Sequence, residues 1–189
     1  MTKPNTWKDF IACAEYLIAE KYTSPEHLGI DGVSAGGILI SNAITERPDL
    51  FGAAVNLVGV NNVLLAETTP NPTYIPEFGS FKTEEGFRNL LAMDGYYKVK
   101  DGVKYPAVML THGINDPRVE PWMSAKMAAR LQAATASDKP VLLQIDYDAG
   151  HGIGSTKRQN NELFADILRF FISAAWRANP VEPSSDKNG

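Results

Sequence analysis

Gly29-Ile30-Asp31-Gly32-Val33-Ser34-Ala35-Gly36-Gly37-Ile38-Leu39-Ile40 is the stretch that decides how this chain folds. It reads as a short strand, a sharp turn and the opening of a helix. Within it, Gly32-Val33-Ser34-Ala35-Gly36 fits G-x-S-x-G, a pattern that stands a serine at the tip of a strand-to-helix turn. Such a serine is held in a strained backbone. A bulky residue two positions away on either side would collide with the turn, so the pattern predicts that both glycines are needed for space. The hydroxyl then stands clear of the sheet, and the helix start offers N–H groups to a developing oxyanion. Glycine and serine are common, so five residues carry little weight alone.

The flanking chain supplies the context. Upstream, residues 5–21 place Trp7, Phe10, Ile11, Ala14, Leu17 and Ile18 at helical spacing, with Thr6 as the cap. Downstream, helical spacing runs from Ala35 to Thr45 and closes at Pro48-Asp49. Gly52 to Val58 is almost continuously apolar, as a strand covered on both faces must be. Residues 60–102 are rich in Asn, Thr, Pro and Gly and carry Tyr74, Phe78, Phe81 and Phe87. They predict a long excursion with short helical pieces that lines a pocket. Tyr105 to Thr111 reads as another buried strand, residues 121–134 as an amphipathic helix, and Pro140 to Tyr147 as a further buried strand. Residues 158–176 read as a last helix with Leu163, Phe164, Ile167, Leu168, Phe170 and Phe171. Asn179 to Gly189 is polar with two prolines and predicts a disordered tail. Strands alternating with helices make one α/β domain over residues 1–178. Its sheet has about four parallel strands, near 28–33, 52–58, 106–112 and 141–147, with flanking helices.

Composition narrows the function classes. The 189 residues suffice for one sizeable core. A net charge of -4 gives no reason to expect nucleic acid or an anionic membrane as partner. No apolar run reaches the roughly 18 residues of a membrane span. The single cysteine, Cys13, excludes an internal disulfide; in Phe10-Ile11-Ala12-Cys13-Ala14 it reads as a small buried hydrophobe. No signal-peptide pattern opens the sequence, and the residues do not separate a cytoplasmic from an exported protein.

In an open parallel sheet, chemistry gathers at the carboxyl ends of strands. Three loops leave such ends here. The first carries Ser34, the second Asp116 in His112-Gly113-Ile114-Asn115-Asp116-Pro117, and the third His151 in Asp148-Ala149-Gly150-His151-Gly152. Taken singly, each has a bland reading: a helix cap, a turn residue, a loop residue. Together they stand in the order Ser, Asp, His, the chain order of α/β-hydrolases. In that reading Ser34 attacks a carbonyl carbon and His151 takes its proton and returns it to the leaving group. Asp116 holds the imidazole in the right tautomer. No metal or cofactor is called for. His112 also lies near this edge but precedes Asp116, so it reads as supporting or structural. His27 falls at the far end of the elbow strand and reads as structural. The elbow and triad do not separate ester from amide, so an esterase or acyl hydrolase stays open beside a peptidase.

Longer segments narrow the choice. Ala14-Glu15-Tyr16-Leu17-Ile18, Tyr22-Thr23-Ser24-Pro25, Gly32-Val33-Ser34-Ala35-Gly36-Gly37, Arg47-Pro48-Asp49-Leu50-Phe51, Val58-Gly59-Val60, Asn115-Asp116-Pro117-Arg118-Val119 and Ala149-Gly150-His151-Gly152 run through nearly the whole chain. On these segments the chain resembles the catalytic domain of the prolyl oligopeptidase family of serine peptidases. The resemblance implies Ser34 as nucleophile, His151 as base and Asp116 as orienter. It implies the Ala35 N–H as one oxyanion donor, and Arg118 as the residue that holds a carbonyl of a short peptide substrate. Val60 and Val119 match apolar positions around the substrate's proline-type side chain. Tyr74 stands where family members carry a tryptophan that stacks on proline, and Ala35 stands where the name-giving enzyme has an asparagine. The resemblance therefore implies a broader family member rather than strict proline preference.

It also implies parts that are not in this sequence. Family members carry an N-terminal β-propeller, several strands before the elbow strand, and a second oxyanion donor. The expectation is a partial α/β-hydrolase fold whose elbow strand, residues 28–33, is an open edge. That edge invites homodimer formation or pairing with the absent N-terminal part. A half-built oxyanion hole implies weak or no turnover by this chain alone, and a non-catalytic fragment stays open as a third reading.

Overall fold

The computed structural model describes residues 4–152 and 156–176. The tail from Asn179 lies outside the described residues, as does the boundary of the domain at 178.

The first helix, α1 (Pro4–Ala19), presents Trp7, Ile11, Ala14 and Ile18 inward, at i, i+4, i+7 and i+11. Thr6 lies inside this helix rather than at its cap. Cys13 is exposed, not buried. It falls two residues from Ile11, roughly 200° around the helix and on the far side from the buried stripe. Helix α1 ends with Lys21 in the left-handed region at φ 62. Tyr22 N–H donates to Leu17 O and Lys21 N–H to Ile18 O, each at 3.0 Å, a Schellman closure.

Strand β1 (Gly29–Val33) leads through the elbow into α2 (Gly36–Glu46), and β2 (Ala53–Leu57) follows. The excursion then contains three short helices, α3 (Tyr74–Phe78), α4 (Glu84–Met93) and α5 (Gly95–Lys98). Its centre is the buried Asp94 carboxylate, which accepts from Asn62 Nδ2 at 2.7 Å, Leu64 N–H at 2.9 Å and Tyr97 N–H at 3.2 Å. Burial raises the pKa of this carboxyl against those donors. The chain closes with β3 (Ala107–Gly113), α6 (Pro121–Ala134), β4 (Val141–Asp146) and α7 (Lys157–Trp176).

The four strands are parallel, in the order β1-β2-β3-β4. Side chains alternate between two cores. Ile30, Ala54, Val108 and Leu110 face α1, α2 and α6, whereas Ala53, Val55, Ala107 and Met109 face Ile167 and Phe170 of α7. The central strands β2 and β3 are buried along their lengths, as their apolar runs require. Strand β4 departs from the expected buried strand: Leu142 is 46% and Leu143 38% exposed, because it pairs only with β3. Strand β1 is the other edge, as expected, with Gly29, Asp31 and Val33 exposed.

Candidate active site

The elbow is built by backbone geometry. Ser34 sits in the left-handed region at φ 58, a costly conformation for a residue with a Cβ. Three bonds hold it there: Ser34 N–H donates to Leu57 O, and the Gly37 and Val60 N–H groups both donate to Ser34 O, all at 2.9 Å. A Cβ on Gly32 would lie 2.6 Å from Ile40 Cγ1 and 2.8 Å from Gly36 O, so that glycine is needed for space. Gly36 is different, since a Cβ there would meet nothing within 4 Å. The steric demand falls one residue later. A Cβ on Gly37 would lie 2.6 Å from Gly59 Cα and 2.7 Å from Val60 N, because α2 packs backbone to backbone on the turn after β2. That turn is strained too: Val58, a β-branched residue, has φ 43.

The other two loops close on the elbow. Asp146 Oδ1 accepts the N–H groups of Asp148 and Ala149 at 2.8 and 3.0 Å, turning the chain at the end of β4. Asn115 N–H donates to Ala149 O at 3.1 Å and Ile114 N–H to Asp146 O at 2.9 Å, which pins the histidine loop against the aspartate loop. A Cβ on Gly113 would lie 2.3 Å from Gly150 O, so the two loops touch where only glycine fits.

Their side chains form one relay. His151 Nε2 is 2.9 Å from Ser34 Oγ, and His151 Nδ1 is 2.7 Å from Asp116 Oδ2. An ionised carboxylate can only accept, so Nδ1 carries the proton and Nε2 is left to accept from the serine hydroxyl. The Asp116 side chain is wholly buried. Burial would raise its pKa. Donors from His112, Val119 N–H, His151 and Arg118 N–H outweigh that cost and hold it down at about 2. The two backbone bonds reach Oδ1 at 2.8 Å from Arg118 and 3.0 Å from Val119. Ala35 precedes the first turn of α2, where N–H groups lack partners within the helix.

The substrate residues expected from the sequence are divided in kind. Arg118 is exposed, and its guanidinium makes no ion pair or hydrogen bond among the described residues. Its backbone oxygen accepts from Asn71 Nδ2 at 2.6 Å and Tyr74 Oη at 3.0 Å. The Tyr74 ring is only 3% exposed and lies 6.0 Å from the Phe78 ring, so here it braces the Arg118 backbone rather than offering an open aromatic face. Burial pushes its phenol pKa up. Val60 and Val119 are buried at 3% each, beside Ser34 and Asp116 respectively.

A cavity of about 250 Å³ opens on the other side of His151, between the strand ends and the first turns of α7. Val33, Leu57, Thr111, Gln144, His151 and Leu163 are among its walls, and none of the four expected substrate residues is. His27 lies before the amino end of β1, away from these loops. In the sequence His112 reads as a supporting or structural residue near the same edge, because it precedes Asp116. In the fold its Nε2 comes within 3.2 Å of Asp116 Oδ2.

Comparison with known proteins places the chain in a family. The family model for the prolyl oligopeptidase family matches residues 1–176. The prolyl endopeptidase of Dictyostelium discoideum is 38% identical over 174 residues, which cover 89% of this chain and 23% of that protein. The prolyl endopeptidase of Elizabethkingia meningoseptica is 36% identical over 91% of this chain and 25% of its own length. Among solved structures, a prolyl endopeptidase superposes with a TM-score of 0.87 at 35% identity, covering 92% of this chain and 26% of the other. Oligopeptidase B from Leishmania major gives 0.84 at 31% identity, covering 94% and 25%. The chain therefore spans about a quarter of the length of the relatives it matches. With the match running from the first residue through α7, the chain belongs to the prolyl oligopeptidase family.

Proposed function

We propose that this chain carries the nucleophile, base and orienting acid of a serine peptidase that cleaves short peptides through an acyl-enzyme. The reading rests above all on the unbroken relay from Asp116 Oδ2 through His151 to Ser34 Oγ, with links of 2.7 and 2.9 Å. Ser34 Oγ attacks the scissile carbonyl carbon as its proton passes to His151 Nε2. The imidazolium so formed is stabilised by the buried Asp116 carboxylate. The carbonyl oxygen gains negative charge and meets the Ala35 N–H at the start of α2. Collapse of the tetrahedral species returns the proton from Nε2 to the leaving amine. A water then repeats the sequence on the acyl-Ser34 ester and frees the acid. The exposed guanidinium of Arg118 holds a substrate carbonyl, Val60 and Val119 lie beside the side chain next to the cleaved bond, and Tyr74 supports that site through its bond to the Arg118 carbonyl oxygen. Peptide is favoured over simple ester because that cation has no partner among the described residues. The exposed edge of β1 is the surface along which a further strand pairs, from a second copy of this chain or another polypeptide.

A fluorophosphonate probe tests the core of this reading, because it needs one nucleophilic attack and no turnover. Labelling of Ser34 that disappears in Ser34→Ala is the expected result. A folded chain that takes no label refutes the proposed chemistry.

A further inference from the structure

His112 lies on β3, its side chain is wholly buried, and both ring nitrogens are engaged. Nε2 is 2.9 Å from the Val119 carbonyl oxygen and 3.2 Å from Asp116 Oδ2, and Nδ1 is 2.8 Å from Ser124 Oγ on α6. A carbonyl oxygen only accepts, so Nε2 must carry a proton. Its hydrogen bond goes to Val119 O, and the Asp116 carboxylate lies next to it. Asp116 Oδ2 thus has two imidazole nitrogens beside it: His151 Nδ1, hydrogen-bonded at 2.7 Å, and His112 Nε2, whose hydrogen bond goes to Val119 O, at 3.2 Å. The Ser124 hydroxyl is suited to whichever state Nδ1 is in, since it can donate to a bare nitrogen or accept from a protonated one.

We infer that His112 is a positioning residue of this site: it shares Asp116 Oδ2 with His151, locks the carboxylate in register and tempers the basicity of His151. The inference rests on the triad reading above for its catalytic meaning. Its physical basis is separate. A carboxylate oxygen that already accepts one N–H offers less negative charge to the next. Removing the His112 N–H therefore leaves the whole of Oδ2 to His151 and favours the His151 imidazolium. The sign is the same whether His112 is neutral or charged, because a lost positive charge acts in the same direction. The link also explains the backbone here. The Val119 and Arg118 N–H groups hold Oδ1, His112 holds Oδ2 and Val119 O together, and the loop from 116 to 119 cannot turn the carboxylate away from His151.

The other ionisable groups around the site are Arg118 and Glu120 on the same loop and Tyr74 and Glu77 on α3. Asp146, Glu162 and Asp166 line the cavity beyond His151. None of these is exchanged in the comparison below, so their field is common to all variants.

The test is an NMR titration of ¹⁵N-labelled imidazoles in the whole chain, with the parent, His112→Leu and His112→Gln. Glutamine can place an amide N–H near the position of Nε2, and leucine cannot. In the parent, Nε2 of His112 should be protonated across the titration of His151. His112→Leu should raise the His151 midpoint, and His112→Gln should bring it back towards the parent. An unchanged or lowered midpoint in His112→Leu overturns the inference. If the leucine variant does not fold, the parent spectrum decides, and an unprotonated Nε2 overturns it equally. Fluorophosphonate labelling of the parent is read in parallel. Absence of label there refutes the serine-hydrolase reading and leaves the His112–Asp116–His151 coupling to be judged from the titration alone.

Discussion

Replacing Asp116 by asparagine changes one oxygen to an amide nitrogen, and four donors around it make the consequence calculable. Oδ1 faces the Arg118 and Val119 N–H groups, and Oδ2 faces His151 and His112. The asparagine oxygen can serve only one of these pairs. It serves the fixed backbone N–H groups, so the NH₂ faces the imidazoles. His151 must then accept at Nδ1 and carry its proton on Nε2, pointing at Ser34, where it can no longer take the serine proton. A wrong tautomer of this kind costs about 10⁴ in rate in other serine hydrolases. Stability changes as well. The Asp116 pKa falls from 3.8 to about 2 on folding. That difference corresponds to about 2 kcal/mol of stability. Because the folded pKa is the lower one, this contribution is fully present above about pH 4 and is lost as the pH falls through about 2. A buried donor facing donor adds about 1–2 kcal/mol. Asp116→Asn should therefore be about 3–4 kcal/mol less stable than the parent in urea at neutral pH, with a gap that narrows towards pH 2. The assay is urea unfolding at a series of pH values, with fluorophosphonate labelling rates measured alongside. A constant gap between the two proteins from pH 7 to pH 2 would refute the assigned carboxylate network, and undiminished labelling would refute the tautomer argument.

Three further outcomes follow from local geometry. Gly37→Ala must open the contact between α2 and the turn after β2 by nearly 1 Å, since the added Cβ starts 2.6 Å from Gly59 Cα. It should cost about 1–3 kcal/mol and slow Ser34 labelling further than stability alone explains, whereas Gly36→Ala, which meets open space, should be tolerated. Lys21→Gly relieves the left-handed residue that closes α1 and should stabilise the chain by about 0.5–1 kcal/mol in the same urea assay; a loss of stability would contradict the Schellman assignment. Small-angle scattering across a concentration series should show association that is abolished by proline at Asp31 on the exposed β1 edge, and a monomer at every concentration would remove that edge as a pairing surface.

The linear sequence determined the fold class and picked out the three residues to which the proposed chemistry is assigned. Periodicity carried the helices, because α1, α2, α6 and α7 each bury a stripe at helical spacing. Apolar runs carried β2 and β3, because central parallel strands are covered on both faces. Chain order carried Ser34, Asp116 and His151, because parallel strands deliver their loops to one edge. A run of letters cannot show that β4 pairs on one side only, which is why that apolar strand is half exposed, and the apolar run around Cys13 hid its place on the outer side of α1. Nor can it contain distances between loops. Only the tertiary structure moved the steric demand at the elbow from Gly36 to Gly37, and set the Tyr74 ring against Phe78 instead of in open space. It alone brought His112 onto the same carboxylate oxygen as His151. Spacing along a chain selects which residues share an edge; packing decides which of their atoms touch, and the chemistry proposed for this site depends on those contacts.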